Sequence, residues 1–218
     1  MPSAHTKDRI LDAAELLFAD HGFAGTSLRT LTTEADVNLA AVNYHFGSKE
    51  ALFQEVFARR VGPLNRARLE LLDACESRSG NQPPSLEEIL RAFLAPALRL
   101  SQDPARGGVG FLRLMGRIYT EPGEFWKPVI AQFEEVKNRF VAVFRRALTD
   151  LPPVELFWRM HFLVGAMCHT MVDTYRLEVI SGGLCDPTDC DGTIDRLVTF
   201  AAAGLRAPVG IPGKGGGR

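Results

Sequence analysis

The sequence carries no excess of charge: 25 Lys and Arg stand against 26 Asp and Glu, a net of −1 over 218 residues. That excludes a protein that holds nucleic acid through a broad positive field, so any DNA binding must rest on a few placed groups. Cysteine is scarce, with only Cys75, Cys168, Cys185 and Cys190. Cys185 and Cys190 sit near Asp186, Asp189 and Asp191, which could be read as a metal loop. The spacing matches no standard ligand set, and the segment reads instead as a polar inter-helix loop holding two ordinary thiols. No apolar run approaches the length of a membrane span, and the opening Met-Pro-Ser-Ala-His-Thr-Lys-Asp lacks the apolar stretch of a signal peptide. The expectation is a cytoplasmic chain with reduced thiols. A Gly-rich phosphate loop, a nucleophile motif and a metal-ligand cluster are also lacking, so neither an enzyme nor a cofactor is expected. His169 and Asp173 form only a helical i,i+4 pair without a nucleophile. There is no credible strand pattern and no internal repeat.

What is present is helical periodicity in a chain that is 46% hydrophobic. Ile10, Ala13, Ala14, Leu17 and Phe18 form one stripe of a helix from about Thr6 to His21, with Gly22 at the place of a C-terminal cap. A short helix fits Leu28 to Ala35 behind Ser27 or Thr26, and another fits Leu39 to about Tyr44 behind Asn38. Ser48 caps a fourth helix with the stripe Leu52, Phe53, Val56, Phe57, Val61 and Leu64, and Pro63 predicts a kink there. Ser77 to Ser85 reads as a loop, and Ser85 with Glu88 forms a capping box opening a helix to about Leu100, with Pro96 interrupting it. Pro104 to Gly110 is a link, Phe111 to Tyr119 a helix, and Pro122-Gly123 a stop. Glu124 to Leu148 and Pro153 to Ile180 each read as one long helix, Ser181 to Asp191 as a loop, and Thr193 to Leu205 as a last helix. The fold class is all-α: a helix-turn-helix domain over 1–48, a helical domain over 49–206, and a Gly- and Pro-rich tail over 207–218 that reads as disordered.

The stretch from Thr26 to Lys49 places two short capped helices around a tight link through Ala35, Asp36 and Val37. That is the helix-turn-helix layout, whose second helix enters the major groove by its N-terminal end. Ala40 and Ala41 allow close approach, while Leu31 and Val42 look inward and fix the angle between the helices. Tyr44, His45 and Phe46 could instead plug a helical core, and Phe46 is expected to do so. Residues 1–60 hold six basic and eight acidic side chains, so non-specific affinity should be modest.

Ile10-Leu-Asp-Ala-Ala-Glu-Leu-Leu-Phe18, Gly22-Phe23, Thr26-Ser27 and above all Asn43-Tyr-His-Phe-Gly-Ser-Lys-Glu-Ala-Leu52 resemble the TetR family of regulators. The resemblance implies a TetR-like fold in which Tyr44 and His45 touch the DNA backbone and Lys49 meets a phosphate. It further implies that Thr26 or Ser27 and Arg29 face DNA, and that Asn38, Leu39, Ala40 and Asn43 meet base edges or the adjoining backbone. Many family members start the recognition helix with Ser and a basic residue. Here Asn38 and Leu39 stand there, which shifts direct readout toward Asn43, Arg29 and apolar contact with thymine methyls.

Val37-Asn-Leu-Ala-Ala-Val-Asn-Tyr-His-Phe-Gly-Ser-Lys49, Gly62-Pro63, Leu151-Pro-Pro-Val-Glu-Leu-Phe-Trp-Arg-Met-His-Phe162 and Phe200-Ala-Ala-Ala-Gly-Leu-Arg206 together look like the PsrA-type branch of that family. The branch implies sensing of a long-chain fatty acid or its CoA ester; a different hydrophobic effector, such as an antibiotic or aromatic compound, is the alternative. Candidate effector-binding residues are Phe111, Arg113, Leu114, Met115, Arg117, Trp126, Phe133, Phe140, His161 and Met167. Arg113 and Arg117 lie four apart on an otherwise apolar helix and would hold a ligand anion, or else pair with Glu121, Glu155 or another carboxylate. His161 and His169 are by default core histidines. The resemblance implies a homodimer through the last two helices, with Leu197, Val198, Phe200, Ala201 and Gly204 in the interface, and a near-palindromic operator. A repressor is expected, since occupancy alone blocks a promoter, with an effector that moves the fourth helix near Gly62-Pro63 and releases the DNA. A helical interaction protein that ignores DNA is the rival reading, and it would not bind its own promoter.

Overall fold

A computed structural model describes residues 2–103, 108–120, 124–125, 127–172 and 174–209, and among these every regular element is an α-helix. In chain order they are α1 (Pro2–Gly25), α2 (Leu28–Glu34), α3 (Leu39–Phe46), α4 (Lys49–Ser79), α5 (Leu86–Ser101), α6 (Gly108–Thr120), α7 (Lys127–Ala131), α8 (Glu134–Ala147), α9 (Pro153–Val172), α10 (Thr174–Ile180) and α11 (Cys190–Arg206). The tail beyond Val209 and Asp173 lie outside the described residues. The chain divides into two compact units, residues 1–70 with 99–138, and 71–98 with 139–218. In the first unit the stripe of α4 is part of the same core as α1.

In the first unit the two stripes read from the sequence are the core. Ile10, Ala14 and Phe18 of α1 and Leu52, Phe53, Val56 and Phe57 of α4 are almost wholly buried, each side chain contributing about 1.5–3 kcal/mol for the larger apolar groups. The rings of Phe18 and Phe53 meet edge to face at 5.1 Å, and Phe23 stacks on Phe125 at 4.9 Å. Glu15, buried among them, is held by Arg60 at 2.8 Å. The α4 helix continues through Pro63 to Ser79. Pro63 and Arg59, whose carbonyl loses its usual amide donor, are both exposed residues. Pro96 likewise lies inside α5.

One helix expected to be continuous is split. The stretch from Glu124 to Leu148 breaks into α7 and α8. The Asn65 amide donates to the Gln132 carbonyl at 2.9 Å, and the Gln132 side chain donates to the Gln54 carbonyl at 3.1 Å. A carbonyl bound to Asn65 is diverted from the next turn of helix, and the amides of Gln132 and Phe133 close tighter i,i+3 turns onto Val129 and Ile130. The stretch from Pro153 to Ile180 is helical on both sides of Asp173, which lies outside the described residues.

In the second unit Phe93 of α5 meets Phe140 of α8 edge to face at 5.1 Å. The buried stripe Leu156, Leu163, Met167 and Met171 of α9 packs in the same core as Ile194, Val198 and Leu205 of α11. Arg159 donates to the carbonyls of Leu205 at 2.9 Å and Ala207 at 2.6 Å, satisfying the end of α11. The capping box at α5 forms as read: the Glu88 amide donates to Ser85 Oγ at 3.3 Å, and the Ser85 amide donates to Glu88 Oε2 at 3.1 Å. The Ser85 hydroxyl and amide, with Arg78, hold the Glu88 carboxyl below the usual glutamate range. Ser85→Ala is therefore expected to cost about 1 kcal/mol in denaturant unfolding at neutral pH. Because the folded-state pKa is depressed, the gap to wild type should narrow as pH falls through the ordinary carboxylate range.

Candidate nucleic-acid interface

The α2–turn–α3 segment is fixed from its ends. Ser27 Oγ accepts from the Thr30 amide at 3.0 Å to start α2, and Asn38 Oδ1 accepts from the Ala41 amide at 2.9 Å to start α3. Between them Asp36 takes a φ of 47°, a left-handed conformation that Asp tolerates better than most residues. The Arg9 guanidinium from α1 holds this turn, donating to the carbonyls of Ala35 and Asp36 and, at 3.1 Å, to the Asp36 carboxylate. Leu31 and Val42 are buried beneath the two helices, as read from the sequence, and Phe46 closes the same core.

What remains outside is one stripe of α3. Leu39, Ala40, Asn43 and Tyr44 all face outward, with Leu39 50% and Tyr44 82% exposed. Arg29 and Ser27 are exposed on α2, and His45 is half-buried beside Tyr44. An exposed leucine and tyrosine on a short, doubly capped helix make a surface that folding alone does not require. Lys49 is half-buried, donating to the Thr26 carbonyl at 2.8 Å and lying 4.3 Å from the centre of the Phe23 ring. An ammonium has three donors, so this seat leaves N–H groups for a phosphate.

Thr26 departs from expectation. It is 1% exposed, and its hydroxyl bridges the carbonyls of Gly22 at 2.8 Å and Leu17 at 3.1 Å. It braces the junction of α1 and α2 from inside the fold. Asn38 is exposed, but its side-chain oxygen is engaged in the cap. Arg9 and Asp36, absent from the sequence-based set, position the turn. No periodicity marks them, because Arg9 acts on residues more than twenty positions away.

The expected effector residues are divided between the two units. Phe111 and Leu114 are buried, and Met115 and Phe133 half-buried, in the first unit, while Phe140 and Met167 are buried in the second. Trp126 lies outside the described residues. Arg113 is exposed and paired with Asp20 at 2.8 Å, and Arg117 donates to the carbonyls of Ala19 and Asp20 at the later part of α1. Arg113 and Arg117 line a cleft of about 490 Å³ with Ala19, Asp20 and Gly116, while α6 turns Phe111 and Leu114 inward and sets both guanidiniums along α1. Glu121 lies outside the described residues, and a different carboxylate, Asp20, takes the pairing role. His161 and His169 are exposed, not core. Among the described residues no group of three His, Cys, Asp or Glu is placed to hold a metal, and no helix is long and apolar enough to cross a membrane. A cleft of about 380 Å³ opens between the end of α3, α4 and Gln132, lined by His45, Gln54, Glu55 and Asn65 among others. None of the expected effector residues lines it.

The family model of bacterial regulatory proteins, tetR family, matches residues 10–56, and the model of the tetracyclin repressor-like C-terminal domain matches residues 91–204. The probable HTH-type transcriptional regulator YttP of Bacillus subtilis is 43% identical over 51 residues, which are 23% of this chain and 25% of that protein. The HTH-type transcriptional repressor NicS of Pseudomonas putida is 39% identical over 72 residues, 31% of this chain and 34% of that protein. The chain therefore matches a quarter to a third of the length of these relatives. The crystal structure of the transcriptional regulator FadR from Bacillus subtilis in complex with stearoyl-CoA superposes with a TM-score of 0.56 at 12% identity, covering 90% of this chain and 97% of that one. That likeness is one of fold. With a helix-turn-helix presenting α3 outward and both halves matched by family models, the chain belongs to the TetR family of DNA-binding transcriptional regulators.

Proposed function

We propose that the protein is a homodimeric repressor that binds a near-palindromic operator and is released by a long-chain fatty acid or acyl-CoA. The observation that carries the dimer is an outward apolar face. Val154, Phe157, Trp158 and Phe162 of α9 are each more than half exposed, at helical spacing, and Phe200 of α11 is 70% exposed beside exposed Ala203 and Gly204. Large aromatic side chains in a row favour a partner surface over water. Of the interface residues expected on α11, Leu197, Val198 and Ala201 turn into the chain's own core. The helical period leaves Phe200, Ala203 and Gly204 to the partner.

The contacts to DNA are assigned to Ser27, Arg29, Leu39, Ala40, Asn43, Tyr44, His45 and Lys49, with phosphates held by hydroxyls, helix ends and few cations. The effector class is supported by the PsrA-type resemblance of residues 151–162 and 200–206 and by the fold likeness to an acyl-CoA-bound regulator. Phe111 and Leu114 are shut away from water, so an acyl chain reaches them only when α6 moves. Such a ligand acts by its higher affinity for that second conformation. Anisotropy titration of the full chain against its upstream intergenic DNA, with and without a long-chain acyl-CoA, tests the reading. Salt-sensitive specific binding weakened by the acyl-CoA supports it. Binding indifferent to acyl-CoA and free fatty acid removes the lipid effector and leaves the regulator.

A further inference from the structure

We infer that the first turn of α3 reads thymine 5-methyl groups through Leu39 and Ala40, leaving hydrogen-bonded base readout from α3 to Asn43. The inference deepens the reading of α3 as the recognition helix and rests on it. In such a helix the N-terminal residues lie closest to the base edges. Here the side-chain acceptors at the two helix starts are engaged in caps, and only the Asn38 amide nitrogen, outside α3 itself, keeps its donors. The Asn38 side-chain oxygen accepts the Ala41 amide, and Ser27 Oγ, at the head of α2, is shared between the amide and hydroxyl of Thr30. Thr26 is buried. What the first turn offers is the half-exposed isobutyl group of Leu39 and the methyl of Ala40. One turn later come Asn43 and Tyr44, both exposed. Asn43 carries the paired donor and acceptor that match the N6 and N7 edge of adenine.

An apolar first turn gains nothing from a cytosine or guanine edge and leaves their polar groups without partners. The one apolar feature of the major groove is the thymine methyl, so the preference follows from desolvation alone. Half of the Leu39 surface stands in water, so its substitution should cost the fold little.

The test uses the full chain and a duplex selected by it from a randomised pool. Each thymine is replaced in turn by deoxyuridine, which keeps the base pair and deletes only the methyl. At one or two positions in each half-site, affinity should fall about fourfold, the ~0.8 kcal/mol of one buried methyl, and about fifteenfold when both half-sites are altered. Leu39→Ala should weaken binding to the thymine duplex at least as much and cause no further loss on the deoxyuridine duplex. If no deoxyuridine replacement weakens binding, or if the Leu39→Ala and deoxyuridine losses add, the inference fails while DNA recognition by α3 stands. A wild-type chain that selects no sequence overturns both.

Discussion

Replacing Phe200 with arginine is expected to turn the protein into a monomer and to lower its affinity for a two-half-site operator by about a hundredfold. Phe200 is 70% exposed in the isolated chain, so the substitution disturbs none of that chain's own packing. In a two-fold dimer the change occurs twice across one interface, and each guanidinium would be desolvated against apolar side chains without an anion. Loss of the second half-site removes the gain from linked binding, which is worth roughly 10²–10⁴ in affinity. Sedimentation velocity reads the monomer directly, and anisotropy reads the operator loss. A Phe200→Arg protein that remains dimeric would move the interface off this face of α11.

Gly22→Ala should produce the largest loss of stability among single small changes to the DNA-binding helices. Gly22 is buried with φ 75° and ψ 176°, a conformation essentially confined to glycine, and it interrupts α1 at that point. An L side chain there costs roughly 1–3 kcal/mol in backbone strain before any steric conflict. The Gly22 carbonyl also receives the Thr26 hydroxyl at 2.8 Å, so the strain falls where α2 is anchored. A melt followed by circular dichroism should show a fall of several degrees, about 2–4 °C per kcal/mol for a chain of this size. An unchanged midpoint would mean that the turn relaxes freely and that α2 is not held through it.

Much of the fold was legible because its signals are local. The stripes of α1 and α4 repeat every three to four residues, and those side chains are the ones found buried. Ser27, Asn38 and the Ser85–Glu88 box act within three residues of themselves and form as read. The failures come from partners distant in sequence. Nothing near Gln132 announces that Asn65 takes its carbonyl, so α7 and α8 read as one helix. Thr26 looked like an exposed hydroxyl, and only the return of the chain past Leu17 shows it to be a brace. Arg113 and Arg117 share a helical face, but the spacing does not say whether that face meets a ligand or, as found, the carboxylate and carbonyls of α1. On α11 the expected set spans two faces, with Ala201 inward and Gly204 outward. Leu197 and Val198 face inward, and the outward aromatic is Phe200.

Selection of duplexes from a randomised pool by the purified full chain tests the central claim most directly. A homodimer reading DNA through α3 predicts enrichment of inverted repeats. Their half-sites would be centred about 10–10.5 base pairs, or a multiple of that, apart. A pool that stays random, or that converges on a single unrepeated motif, would contradict it.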